Sequence, residues 1–266
     1  MLNFFLLGRL EAHSPFGRFA VRGGIQGTLL QVLLASEGRI VPAESLVGEL
    51  WGESPPDGVA NALHAHISRL RKKIGALEPH RTSSRLVGNP FGYQLLVAEG
   101  ELDATVFVSE VRRAQESLPR DPRRASEVLR AALLMWRGPV FGGDVHGVLC
   151  QAAAVRYEEY RIHALELFFE SELALGNHTH ILGELREAHA ANPLRERFCE
   201  QLMLALYRSG RQAEALATYR QMWSRLANDL GIEPSPVLRR TELAILGHDP
   251  DLDYRESRAA DLSYAI

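Results

Sequence analysis

The sequence has little of what secreted and membrane-spanning proteins need. Cys150 and Cys199 are the only cysteines in 266 residues, which is too few for a disulfide framework and offers no C-x-x-C pair for zinc or redox chemistry. The apolar run of residues 4–7 has neither a preceding basic region nor a small-residue cleavage site. No stretch approaches the about 18 consecutive apolar residues of a transmembrane helix. We therefore expect a reduced, soluble, cytoplasmic protein without membrane contact.

The motifs of the common enzyme classes are also missing. There is no GxxxxGK(S/T) loop, no GxSxG elbow and no dinucleotide fingerprint, and the Gly-Gly-Asp of residues 142–144 is short enough to be an ordinary loop. His64 and His66 would point about 200° apart on a helix, and His178 and His180 have no Cys or evident carboxylate partner. The sequence therefore predicts a protein that is not an enzyme and that holds no metal or cofactor.

The charge is small in total but unevenly distributed. The formal net charge is -3, yet residues 1–100 hold 10 Lys and Arg against 8 Asp and Glu, whereas residues 101–266 hold 20 against 25. Such a division can hide a local basic patch near the N-terminus. Because 266 residues exceed the usual size of one compact domain, and 46% of them are hydrophobic, we expect two domains.

The first hundred residues combine short strands with three helices. Residues 2–7 and 18–22 favour strands, and between them His13, Ser14, Pro15 and Gly17 are turn-forming or chain-breaking types. Helical segments follow from residue 28, over residues 41–51, and over residues 59–74, where Asp57 is placed to cap the third helix. Two apolar-rich runs, residues 84–87 and 93–97, then flank a Gly, Asn and Pro turn and predict a hairpin.

The third helix has two different faces. Its apolar residues recur at helical spacing and predict an inward face of Leu63, Ile67, Leu70 and Ile74. About 100° per residue places a polar set on the far side. This set comprises Asn61, Ala65, Ser68, Arg69 and Lys72, flanked by His64, His66, Arg71 and Lys73. The segment carries four positive side chains and no acidic one.

Two short helices, a basic helix and a hairpin together indicate a winged helix-turn-helix that binds DNA. The basic helix would enter the major groove, where Arg donates to guanine O6 and N7 and Ser bonds to either type of base edge. Lys72, Lys73 and Arg85 would reach phosphates, which position a protein without reading sequence. The alternative is that the basic run is merely a solvated helix face.

From Asp103 to about Leu246 the helical period replaces the strand signals, so the second domain is predicted to be all α. Gly176 and Gly210 lie 34 residues apart, and apolar neighbours repeat in register with them, which is the period of tetratricopeptide (TPR) repeats. An unrelated helical bundle is the alternative. The predicted organisation is a winged helix-turn-helix over residues 1–99, a TPR-like helical domain over residues 100–248, and a polar tail over residues 249–266.

The run GRIVPAESLVGELWGESPPDGVANALHAHISRLRKKIG, residues 38–75, resembles the OmpR-type DNA-binding domain of the SARP family, the Streptomyces antibiotic regulatory proteins. The runs LMWRGPVFGG and NPLRERFCEQLMLALYRSGRQAEALATYRQMWSRLANDLGIEPSPVLRR are similar to the bacterial transcriptional activation domain that follows it in that family. The resemblance covers about residues 3–246, in the family's order.

This resemblance implies a nucleoid-associated activator of antibiotic and other secondary-metabolite biosynthesis genes. The family binds direct repeats in promoters as a homodimer and recruits RNA polymerase holoenzyme through its sigma factor. By motif, the implied DNA contacts on the helix are His66, Ser68, Arg69, Arg71 and Lys72. The implied wing contacts are Arg85, Asn89 and Tyr93. The implied polymerase contact is the loop Gly52, Glu53, Ser54, Pro55, Pro56 and Asp57.

Two departures from the family pattern affect these expectations. The wing commonly carries an Arg a few residues before its Gly-Tyr pair, whereas this chain has Asn89, Pro90 and Phe91. The first helix is expected to begin at about Gly27 without the basic residue often found there. Each departure puts one phosphate or minor-groove contact in doubt.

Two other functions remain open from the sequence. A TPR-type scaffold would use the helical domain to bind peptides or proteins, with a winged helix that also contacts protein. A metabolite-responsive regulator would bind a small molecule in the helical domain. A steep loss of DNA affinity with salt separates the DNA-binding reading from the scaffold, because phosphate contacts release counterions.

Overall fold

The N-terminus forms a small antiparallel sheet. The computed structural model describes residues 1–21 and 23–253 of the chain, so residues 254–266 of the predicted tail lie outside the described residues. Strands β1 (Asn3–Phe5), β2 (Glu11–Ser14) and β3 (Gly17–Ala20) pair in the order β1-β2-β3. The expectation that His13 and Ser14 lie in a turn is wrong. His13 in β2 pairs with residues of both β1 and β3, and only Pro15 and Phe16 form the turn.

A helix-turn-helix and a two-stranded wing follow, as predicted. The helices are α1 (Gly24–Ala35), α2 (Ala43–Trp51) and α3 (Val59–Ala76), and the wing pairs β4 (Leu86–Asn89) with β5 (Gly92–Leu95). Helix α1 begins at Gly24, which corrects the expected start at about Gly27. The first residue of α1, where the family often has a basic residue, is therefore Gly24.

Side chains from all three helices form the core of this region. Leu29, Leu33, Leu46, Leu63 and Leu70 are at most 2% exposed. Burying one such side chain stabilises a fold by about 1.5–3 kcal/mol relative to leaving it in water. This shared core sets the angle at which α3 presents its other face.

The rest of the described chain is helical, in agreement with the predicted all-α second part. Its elements, in chain order, are α4 (Asp103–Ser117), α5 (Pro122–Leu133), a turn of 3₁₀ type (Val140–Gly143), α6 (Val148–Ala174), α7 (Leu182–Ala191), α8 (Glu196–Arg208), α9 (Gln212–Arg225), a π turn (Leu226–Leu230), α10 (Pro236–Leu246) and a 3₁₀ turn (Pro250–Leu252). Ser235 caps α10 by accepting from the Leu238 N–H. No helix within residues 1–21 and 23–253 is long and apolar enough to cross a membrane.

By its internal contacts the chain divides into two compact units. The first contains residues 1–112 and 130–162, and the second contains residues 113–129 and those from 163 onward. The divisions fall within α4, α5 and α6. The predicted domain boundary between residues 99 and 100 marks the change from strand signals to helical periodicity in the sequence. It stays a prediction.

The 34-residue repeat corresponds to helix packing in the second unit. Gly176 and Gly210 both adopt left-handed backbone, with φ of 78° and 73°, and each ends a helix that leads into the next. Phe169 and its repeat partner Met203 are fully buried, and α8 packs against both α7 and α9. The repeat therefore describes equivalent core positions, while its assignment as TPR remains a prediction.

Candidate nucleic-acid interface

Helix α3 is amphipathic in the orientation that its sequence predicts. The four apolar residues Leu63, Ile67, Leu70 and Ile74 are at most 2% exposed. On the opposite side Ser68, Arg69, Lys72 and Lys73 are exposed, and we call these four residues the basic face. Since α3 contains no Asp or Glu, no acidic neighbour on the helix offsets this charge.

His66 is half-buried and helps to hold α3 in place. The Gln26 Nε2 lies 3.1 Å from the His66 Nδ1 and donates to the His66 carbonyl at 3.1 Å. The Trp51 ring packs edge-on at a centroid distance of 6.0 Å. Burial lowers the pKa of His66, and the charge of Arg69 lowers it further. Both effects favour the neutral ring, and its Nε2 edge remains for a DNA contact.

Arg71 connects the helix to the wing. Its Nε donates to the Leu86 carbonyl oxygen at 2.7 Å, and its side chain is partly buried. This bond uses one of the five guanidinium N–H donors and leaves the terminal nitrogens for a ligand. Arg71 thus has a positioning role in addition to the predicted DNA contact.

The wing is anchored to the segment between α1 and α2 by backbone contacts. The Tyr93 N–H donates to the Val41 carbonyl at 3.0 Å, and the Val41 N–H donates to the Tyr93 carbonyl at 2.8 Å. A Cβ added at Gly92, whose φ is 149°, would lie 2.0 Å from the Val41 oxygen. Only glycine permits this approach, which explains physically why Gly precedes Tyr in the wing motif.

Side chains of the wing and of α3 line an open groove. The Tyr93 ring lies edge-on to the His64 ring at 6.3 Å, and the groove is bordered by His64, Arg71, Asn89 and Tyr93. Asn89 is exposed, and its Oδ1 accepts from the Phe91 N–H at 2.8 Å. Asn89 and Tyr93 of the wing therefore share one surface groove with His64 and Arg71 of α3.

Arg85 is not part of that surface, which corrects its assignment as a phosphate contact. It is only 6% exposed, and its Nη2 donates to Glu78 Oε1 and to Glu101 Oε1, each at 2.7 Å. Its Nη1 also donates to the Leu96 carbonyl at 3.1 Å. These bonds raise the pKa of Arg85 against the opposing effect of its burial. Arg85 is a structural cation between two carboxylates.

Residues 52–57, the predicted polymerase contact, form an exposed loop between α2 and α3. The Gly52 N–H ends α2 by donating to the Gly48 carbonyl at 2.9 Å. Gly58, with left-handed backbone, caps α3 without a side-chain bond, so the expectation that Asp57 caps the helix is wrong. Glu53 and Asp57 therefore stay available on an acidic, Pro-containing protrusion.

Comparisons with known proteins agree with this architecture. Residues 24–95 match the family "Transcriptional regulatory protein, C terminal", and residues 102–246 match the "Bacterial transcriptional activator domain". The transcriptional regulator RedD of Streptomyces coelicolor is 39% identical over 248 residues, which cover 93% of this chain and 71% of RedD. This chain belongs to the SARP family of transcriptional regulators. The resemblance first drawn from its motifs is thereby confirmed.

Two further relatives of this SARP chain are longer proteins. The regulatory protein AfsR of Streptomyces coelicolor is 39% identical over 268 residues, which cover 99% of this chain but 26% of AfsR. A solved structure of Mycobacterium tuberculosis EmbR, in complex with a low-affinity phosphopeptide, superposes with a TM-score of 0.84 at 32% identity. It matches 94% of this chain and 66% of the EmbR chain. The likeness therefore extends across both parts of the SARP chain.

Several residues that shape the interface were not found from the sequence. Gln26 and Val41 carry no motif signal, because their role lies in contacts with residues about 40 and 50 positions away. Glu101 follows the predicted hairpin and also carries no motif signal, although it is 3% exposed and paired with Arg85. The only signal for this pairing is that several acidic residues lie near Arg85 in the sequence. Their spacing does not show which of them form an ion pair with Arg85.

Proposed function

We propose that this SARP protein is a sequence-specific activator of antibiotic and other secondary-metabolite biosynthesis genes, acting on the nucleoid in the bacterial cytoplasm. The observation that carries the proposal is the exposed basic face of α3, held beside the wing on a buried helical core. An α-helix has the width that the major groove of B-DNA admits. The acid-free outer side of α3 suits the negative potential of that groove.

Within this proposal the residues have different roles. Arg69 and Ser68 read base edges, because Arg can donate to two guanine acceptors at once and Ser can bond to either kind of edge. Lys72 and Lys73 contact phosphates and fix the register of the protein on the duplex. The free edge of His66, the terminal nitrogens of Arg71, and Asn89 and Tyr93 of the wing complete the interface.

The protein is proposed to bind direct repeats as a homodimer. Each protomer would present α3 to the same face of the duplex, so the half-sites would be separated by about 10–10.5 base pairs or a multiple of that distance. The exposed loop Gly52, Glu53, Ser54, Pro55, Pro56 and Asp57 would then contact RNA polymerase holoenzyme through its sigma factor. Its two carboxylates suit a basic partner surface.

The test is a selection of binding sites from random duplexes, followed by anisotropy titrations of the purified chain at two or more salt concentrations. We expect one enriched direct repeat and an affinity that falls steeply with salt, because Lys contacts release about 0.9 counterions each. Binding that does not change with salt, or no enriched sequence, would instead favour a protein-interaction scaffold.

Two variants separate base reading from positioning. Arg69→Ala should lose about 1–3 kcal/mol of discrimination at one base pair, whereas Lys72→Ala should weaken all sequences alike and lower the salt slope by about one unit. Arg18→Ala is the matched control, since Arg18 is an exposed arginine on β3, outside the interface. Full specificity in Arg69→Ala would refute the assignment of the basic face.

A further inference from the structure

The hairpins β2–β3 and β4–β5 have tip turns of the same sequence pattern. Their tips are Ser14-Pro15-Phe16-Gly17 and Asn89-Pro90-Phe91-Gly92, and in each the first residue pairs with the glycine. The Phe16 N–H donates to the Ser14 Oγ at 3.1 Å, and the Phe91 N–H donates to the Asn89 Oδ1 at 2.8 Å. Ser or Asn first, Pro second and Gly fourth are the signature of a type I turn.

The two phenylalanines differ in their surroundings. Phe16 is 55% exposed and packs edge-on against the His80 ring at a centroid distance of 5.2 Å. Phe91 is 78% exposed, at the tip of the wing and next to Pro90. A large apolar side chain held out in water gives up the stabilisation that burial would bring. Burial of the Phe91 ring against a binding partner would therefore be favourable.

The wing tip is held firmly relative to the basic face. Arg71 bonds the base of β4 to α3, and the Val41 backbone is hydrogen-bonded to the backbone of Tyr93 in β5. The Asn89 side chain fixes the backbone at Phe91. A projecting side chain whose backbone is already held in place loses less conformational freedom when it binds than one on a free loop, which favours its insertion into a defined site.

We propose that Phe91, supported by Pro90, inserts as an apolar wedge between base pairs in the minor groove next to the site that α3 reads. Proteins that kink DNA from the minor groove use Phe, Leu, Ile, Met or Pro for this purpose. The tip residues Asn89, Pro90, Phe91 and Gly92 carry no positive charge. Attraction to phosphates therefore does not explain why this turn exposes Phe91. The inference rests on the proposed DNA-binding function and adds a specificity that α3 does not supply.

The wedge predicts a preference at a position that receives no hydrogen bond from the protein. Pyrimidine–purine steps such as TA and CA unstack and kink most easily. One such step should therefore recur at a fixed distance from the bases that α3 contacts in selected sites. This preference should disappear when Phe91 is removed, while the preference at the α3 contacts stays.

The experiment uses the full chain and the duplex obtained from the binding-site selection. Single adenines are replaced in turn by 2-aminopurine, whose fluorescence rises on unstacking, and a second duplex carries end labels that report bending. Wild type and Phe16→Ala should raise the fluorescence at one step and bend the duplex. Phe91→Ala should abolish both signals and lower the affinity about 5- to 150-fold, the effect of losing one aromatic–base stack. Its salt slope should not change, because no phosphate contact is lost.

The possible results separate this inference from the proposed function. Specific, salt-dependent binding by wild type without unstacking or bending would overturn the wedge and leave the activator proposal in place. Lower transcription by Phe91→Ala with unchanged DNA signals would also overturn it, because the tip would then contact protein. No specific binding by wild type would remove both. Thermal melting confirms that Phe91→Ala is folded, and Phe91→Leu, which keeps apolar bulk, should retain part of the bend.

Discussion

Replacement of Arg85 by alanine tests whether this arginine holds the fold or binds DNA. Arg85 is 6% exposed, and the side chains of its partners Glu78 and Glu101 are 19% and 4% exposed. Arg85→Ala would leave the Glu101 carboxylate buried without its cation. Removing one partner of a buried ion pair costs about 3–5 kcal/mol, which is a large part of the about 5–15 kcal/mol by which a domain is stable.

The measurement is the free energy of unfolding in urea, together with the melting temperature. For a domain of 150–250 residues each 1 kcal/mol shifts the melting temperature by about 2–4 °C, so Arg85→Ala should melt about 6–20 °C lower. Arg39→Ala is the matched control, because Arg39 is exposed and its Nε donates to the nearby Ser36 carbonyl oxygen. Its melting temperature should be close to that of wild type.

A pH titration gives a second readout of the same ion pair. The hydrogen bond from Arg85 holds the pKa of Glu78 below its ordinary value of 4.5. A lowered pKa in the folded state means that the pair stabilises the fold above pH 4.5, and that this stabilisation is lost as the pH falls through the lowered value. Arg85→Ala should therefore lose stability less steeply in acid. An unchanged melting temperature with a salt slope for DNA binding reduced by about one unit would refute the structural role and restore Arg85 as a phosphate contact.

Three further changes probe other parts of the chain. Gly92→Ala should destabilise the wing, since the new Cβ would lie 2.0 Å from the Val41 oxygen. The control Gly48→Ala on α2, where nothing lies within 4 Å of the new Cβ, should stabilise the protein by about 0.5–1 kcal/mol. Equal melting temperatures of the two variants would disprove the close approach. Burial, and then the charge of Arg225, lower the pKa of His189, so its share of the stability is present above pH 6.5 and is lost as the pH falls. Urea unfolding of His189→Gln between pH 7 and 5 should thus show a weaker pH dependence than wild type, and equal slopes would contradict this. A fragment of residues 1–99 should have a melting temperature well below that of the full chain by circular dichroism, because it lacks the hydrogen-bond partners of Leu6, Leu7 and Glu37. Equal melting temperatures would show that those hydrogen bonds are dispensable.

Local periodicity was sufficient to predict the parts of the site that depend on one helix. In α3 the spacing of Leu63, Ile67, Leu70 and Ile74 predicts the buried side, and the structure buries all four. The exposed side then follows from 3.6 residues per turn without further information. For this reason Ser68, Arg69 and Lys72 could be assigned to one surface from the sequence.

Features that depend on pairing between distant residues could not be predicted in the same way. Strand β2 is four residues long, and its His13 and Ser14 are residue types that are also common in turns. Its strand conformation comes from ladders on both sides, which no local propensity reports. Arg85 shows the same limit, since a positive residue before a wing has the same local pattern whether it meets a phosphate or two buried carboxylates.

The first compact unit shows that sequence similarity and packing divide this SARP chain differently. The Asp103 carboxylate accepts from the Leu6 and Leu7 N–H groups at 2.8 and 3.1 Å, although Asp103 lies in the part that matches the activation-domain family. The Tyr157 hydroxyl donates to Glu37 at 2.7 Å, and the Leu149 N–H donates to Glu49 at 2.9 Å. Glu37 and Glu49 belong to the helix-turn-helix region, so α6 is bonded to the elements that carry α3. The position of the basic face consequently depends on residues well beyond the DNA-binding motif, and substitutions near the start of α6 should change DNA affinity without touching DNA.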